Sequence, residues 1–140
     1  MTAIEAPRLY PALRFRDAER MIAFLCDAFG FTVHAKYTND AGKVIHAELA
    51  FGSSMIMCGD EKDDAFGAMV GAADGRSGKA LYLAVDDADA AFERARAAGA
   101  EILQGLVERD YGSREFICRD PEGNVWSFGT YWPKAHEPAG

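Results

Sequence analysis

The sequence has no long apolar run, no cysteine pair in CxxC spacing and no cluster of lysine and arginine. No stretch reaches the roughly 18 apolar residues that a membrane span needs, so no membrane partner is expected. The opening Met1-Thr-Ala-Ile-Glu-Ala-Pro-Arg8 has neither a basic n-region nor an apolar h-region, and the expected location is cytoplasmic. Acidic side chains outnumber basic ones by 22 to 15, giving a net charge of -7, which disfavours nucleic acid as a partner. Cys26, Cys58 and Cys118 are odd in number and lie in apolar runs, so they read as small core residues in a reducing compartment. Ser53, Ser54, Ser113 and Ser127 lack a GxSxG elbow, and Gly67-Ala-Met-Val-Gly71 fits neither a P-loop nor a dinucleotide turn. No catalytic nucleophile and no phosphate cradle is therefore expected.

What is present is enough apolar material for one domain, 49% of 140 residues. Asp120-Pro-Glu-Gly123 has the chemistry of a tight hairpin turn, with Pro presetting φ and Gly free to take the left-handed conformation. The flanking runs, residues 114–119 and 124–131, are aromatic and β-branched enough to pair across it. Upstream, residues 9–15 read as a strand. Asp17 then caps a helix carrying Met21, Phe24, Leu25 and Ala28 at helical spacing, and Gly30 ends it. Strands over 31–38, 43–51 and 54–58 complete a βαβββ unit.

The pattern then restarts, with a strand at 79–85, a helix at 88–98 closed by Gly99, a strand at 101–107 and the hairpin. Superposing the halves sets Leu13 on Leu83, Gly30 on Gly99 and Gly52 on Gly123. Such a repeat predicts two modules whose sheets need each other to bury a face. The expected fold is α+β: one domain over 1–140, with modules at 9–59 and 79–131, a linker or lid at 60–78 and a tail at 132–140. Its mixed sheets are expected to curve strongly around a cleft.

Paired βαβββ modules, Asp-Ala after each first strand, and Tyr111-Gly-Ser-Arg-Glu-Phe followed by Asp120-Pro-Glu-Gly-Asn-Val-Trp-Ser-Phe-Gly129 resemble the vicinal oxygen chelate superfamily. That superfamily includes glyoxalase I, extradiol dioxygenases and bleomycin-resistance proteins. The resemblance implies His, Gln or Glu metal ligands in the first and last strands of each module. The matching positions hold Tyr10, Ile56, Ala80 and Ser127, which are poor ligands or none, so no metal and no other cofactor is expected.

The remaining cleft candidates are Tyr10, His46, Glu48, Ile56, Tyr82, Tyr111 and Ser127. Trp126 is expected under the helices. This lining suits a small molecule that is aromatic or cationic, with Glu48 supplying charge. The reading is a sequestering protein similar to bleomycin-resistance proteins. The alternatives are a glyoxalase-like lyase, isomerase or dioxygenase with an atypical metal site around His46 and Glu48, and a generic binding module. A homodimer is expected, because half-barrels expose strand edges.

Overall fold

The computed structural model describes residues 5–73 and 78–138, so part of the expected linker, at 74–77, and both chain ends lie outside the described residues. The chain divides into two compact units after Ala73.

In the N-terminal unit, β1 (Ala12–Phe15) leads into α1 (Ala18–Phe24), which continues as a π-helical turn over Leu25–Phe29. The Asp17 carboxylate accepts from the Arg20 amide at 3.2 Å, and Gly30, at φ +87°, ends the helix in the left-handed region. β2 (Thr32–Thr38), β3 (Val44–Phe51) and β4 (Ser54–Asp60) follow. The sheet order is β1-β4-β3-β2, with β1 parallel to β4 and the other pairs antiparallel.

Alternation decides what α1 covers. Phe15, Ala47, Leu49, Ile56 and Cys58 point to the helix side and are buried with Met21, Ile22 and Leu25. Asp60 ties helix to sheet: its carboxylate accepts from the Ala18 amide at 2.8 Å and the Val44 amide at 2.7 Å. A short helix, α2 (Ala65–Val70), lies within the expected linker and buries none of its residues.

The C-terminal unit repeats the plan with β5 (Ala80–Ala84), α3 (Ala88–Ala97), β6 (Glu101–Glu108), β7 (Arg114–Arg119) and β8 (Val125–Gly129) in the order β5-β8-β7-β6. Phe116 stacks on Phe128 at 4.7 Å and meets Phe92 of α3 edge-on at 5.3 Å. Trp126 is buried with them, as its strand position predicts. The hairpin forms at Asp120, whose carboxylate accepts from the Glu122 and Asn124 amides and, at 2.9 Å, from the Trp126 indole. The fold is thus two βαβββ modules with mixed four-stranded sheets. Among the described residues no helix is long and apolar enough to cross a membrane.

Strand pairing corrects the repeat register. Leu13 pairs with Cys58 in one sheet and Leu83 with Phe128 in the other, so both strands superpose at an offset of 70 residues. The glycine match, Gly52 on Gly123, gave the last strand an offset of 71. The counterpart of Ser127 is therefore Met57 and not Ile56, and the counterpart of Tyr82 is Ala12. Tyr10 precedes β1, because Pro11 has no N–H to extend the ladder and contributes only its carbonyl, which accepts from the Met57 amide at 2.9 Å.

Candidate functional site

Each sheet has a face turned away from its own long helix, and the chemistry-bearing side chains gather there. In the N-terminal unit two bulges shape that face. Thr38 pairs with Val44 and Tyr37 with His46, leaving Ile45 as an extra residue on β3; Val33 pairs with Leu49 and Ala35 with Glu48, leaving His34 extra on β2. The first bulge lets Val44 and Ala47 both enter the core while Ile45 and His46 both turn outward. The second brings His34 toward Glu48.

His46 Nε2 is 3.0 Å from one Glu48 oxygen, and His34 Nε2 is 3.9 Å from the other. The His46 ring stacks on Tyr37, with centroids 6.3 Å apart and planes at 19°. Glu48 thus has an imidazole nitrogen beside each of its carboxylate oxygens. Beside this pair a cavity of about 160 Å³ is lined by Ala12, Arg14, Ile45, His46, Met57 and Phe66, among others. Arg14 donates to both oxygens of Asp64, at 3.2 and 3.3 Å, and lies under the Phe66 ring, 5.0 Å from its centroid. The guanidinium and the Gly67 amide hold the Asp64 carboxyl below the usual carboxylate range.

In the C-terminal unit, Tyr82 and Ser127 are paired neighbours on β5 and β8. Tyr82 is 41% exposed, and its hydroxyl donates to the Tyr131 carbonyl at 2.6 Å. Partial desolvation raises its pKa. Next to it lies Glu115, buried on β7. Desolvation pushes its pKa up, but hydrogen bonds from Tyr111 (2.8 Å), Arg109 (3.0 Å) and Ser113 outweigh this and hold it below the usual value. The same bond raises the Tyr111 phenol. Tyr111 meets Tyr131 edge-on at 5.8 Å. Gly129 makes the crossing of these groups possible: a Cβ there would sit 2.5 Å from the Tyr82 hydroxyl and 2.8 Å from Glu115 Cγ.

Of the residues singled out from the sequence, the structure brings His46 and Glu48 together on one sheet and Tyr82 and Ser127 together on the other, with Tyr111 in the turn between β6 and β7, bonded to Glu115. Ile56 is 6% exposed and belongs to the core under α1, one pleat from the outward face, which corrects its assignment to a cleft. Tyr10 is half-buried and outside the strand. Sequence reasoning did not single out Glu115, Arg109, Met57 or Phe66. Glu115 had a signal, its place out of phase with Cys118, which read as core, on a strand whose faces alternate.

Burial pushes the Cys58 and Cys118 thiols up to about 12, so neither is a thiolate at neutral pH. The donor set does not fit the superfamily's metal. At the corrected register the ligand positions hold Ala12 or Tyr10, Met57, Ala80 or Tyr82, and Ser127, with no imidazole or carboxylate among them. Among the described residues no three His, Cys, Asp or Glu side chains are grouped to hold a metal ion.

Comparison with known proteins agrees with the architecture. The family model described as Glyoxalase/Bleomycin resistance protein/Dioxygenase superfamily matches residues 9–128. An uncharacterized protein of Mycobacterium bovis is 33% identical over 125 residues, 88% of this chain and 82% of its own length. Among solved structures, TioX from Micromonospora sp. ML1 superposes with a TM-score of 0.73 at 30% identity, covering 89% of this chain and 98% of that one. A glyoxalase/bleomycin resistance protein/dioxygenase family enzyme from Burkholderia phytofirmans PsJN gives 0.64 at 26% identity, covering 86% and 94%.

Proposed function

The chain belongs to the glyoxalase/bleomycin resistance protein/dioxygenase superfamily, and from that premise we propose that it is a small-molecule-binding member that sequesters a planar, amphipathic ligand without converting it. The observation that carries this reading is the content of the outward sheet faces. Where metal-dependent relatives are expected to place ligands, the N-terminal unit holds Ala12 and Met57, with the rings of His46 and Tyr37 on the same sheet, and the C-terminal unit holds Ala80 and Ser127, with Tyr82 paired to Ser127 and Tyr111 in the turn before β7. Rings and hydroxyls of this kind recognise flat molecules: stacking contributes about 0.5–1.5 kcal/mol per ring pair beyond area burial, and the phenols add directional hydrogen bonds.

A metal-dependent lyase, isomerase or dioxygenase would have to rest on His34, His46 and Glu48. In that group the carboxylate is already taken up by His46, at 3.0 Å.

Calorimetric titration with bleomycin-like and other planar antibiotics tests the proposal. Micromolar binding to at least one of them, weakened about tenfold or more by Tyr82→Ala and little by Tyr10→Ala, is the expected result. Binding no tighter than about millimolar across the panel would leave a generic interaction module as the better reading.

A further inference from the structure

The cavity beside Arg14 has a size and a wall chemistry that specify a narrower ligand class than the outward faces do. It opens to solvent, and its volume of about 160 Å³ is room enough for one six-membered ring, since an engineered apolar cavity of about 150 Å³ holds benzene. Phe66, Met57, Ile45, Leu13 and Ala12 supply apolar walls. The floor is formed by close approach of two backbones, for a Cβ on Gly59 would meet the Ile45 carbonyl oxygen at 2.9 Å. One wall carries a full positive charge, the Arg14 guanidinium, whose side chain is only 18% exposed.

The partner that neutralises this charge is one-third exposed and sits at the long end of the hydrogen-bond range. Charge-assisted pairs to arginine run at about 2.7–2.9 Å, whereas Arg14 meets Asp64 at 3.2 and 3.3 Å. Asp64 comes from the short α2 segment, and its oxygen already caps that helix by accepting from the Gly67 amide at 2.7 Å. It would therefore keep a partner on leaving Arg14. A second recess of about 530 Å³, which Arg14 also lines, gives the guanidinium a route from solvent.

We propose that this cavity binds a monocyclic aromatic carboxylate, the ring against Phe66 and Met57 and the carboxylate taking the Arg14 fork from Asp64, which occupies it as a placeholder in the free protein. The exchange is one carboxylate for another, so the half-buried guanidinium is never left unpaired. α2 gives up the Asp64 contact but stays against the sheet through Phe66, which packs on the ligand ring. This rests on the small-molecule reading above and names the ligand class of its N-terminal face.

Benzoate, benzyl alcohol and benzylammonium present the same ring with three charges, and titration of each, followed by amide shifts of Ile45, Gly59 and Gly67, reads the site directly. Benzoate should bind at least about tenfold more tightly than either of the others, and Arg14→Gln should abolish the difference. Asp64→Asn is the sharper variant, because asparagine caps a helix as well as aspartate does but gives up the charge that competes for Arg14. It should tighten benzoate about fivefold or more and leave benzyl alcohol unchanged. Unchanged or weaker benzoate binding in Asp64→Asn, or tightest binding of benzylammonium, overturns the proposal. So does silence from all three probes; if the planar antibiotics still bind in a manner dependent on Tyr82, only this assignment fails and the broader function stands.

Discussion

Gly129 has no room for a side chain, because Tyr82 and Glu115 cross where its Cβ would be. Gly129→Ala should therefore cost about 1–3 kcal/mol, as overpacking does, and lower the melting temperature with no change in secondary structure. Glu115 titrates with a definite sign. Its folded pKa lies below the unfolded value, so its stabilisation is full above the usual carboxylate range and is lost as pH falls through the folded value. Wild-type protein should be more stable than Glu115→Gln at neutral pH, with the gap closing on acidification; denaturation midpoints that run parallel from neutral to about pH 3 would refute this.

Neither residue was prominent in the sequence. Gly129 ends a strand in a motif rich in glycine, and Glu115 is one carboxylate among many, distinguished only when the fold buries it against Arg109 and Tyr111. Ile56 went the other way. One residue of error in aligning the two modules by their turn glycines exchanged an outward position for a core one, since strand faces alternate with every residue.

At the level of elements, helices and strands were legible because their determinants are local. Asp17 caps α1, Gly30 and Gly99 end the two helices, and Asp120-Pro-Glu-Gly123 turns β7 into β8. The bulges at Ile45 and His34 were not legible, because they answer to which side chains the core needs and not to any local preference. The segment before residue 78 read as a connection from its composition. Its helix, α2, buries nothing and is held from outside by the Arg14 pair and the Phe66 ring. Gly67 permits that fold, as a Cβ there would collide with the Lys62 carbonyl oxygen. Gly67→Ala should free the segment alone: amides of α2 should exchange about tenfold faster or more while those of β3 and β4 keep their protection. Equal loss of protection in the sheet would mean that α2 is integral to the core.

For the whole molecule, each sheet ends in a long strand, β2 or β6, with one edge unpaired in its own sheet, and α2 exposes Phe66, Met69 and Val70. Unpaired edges and apolar surface are what self-association covers, and we propose a homodimer. Light scattering during size exclusion at micromolar concentration should return twice the mass of one chain, and a monomer at that concentration would count against it. Sequestration requires that the ligand is held and not converted. It is tested most directly by incubating metal-analysed protein with the tightest-binding planar antibiotic, with and without added divalent ions, and weighing the recovered ligand by mass spectrometry. Unchanged ligand in both incubations and less than about 0.1 metal ion per chain are expected. A product formed over several turnovers, or one that appears only when metal is restored, would contradict sequestration and place His34, His46 and Glu48 at the centre of an enzyme.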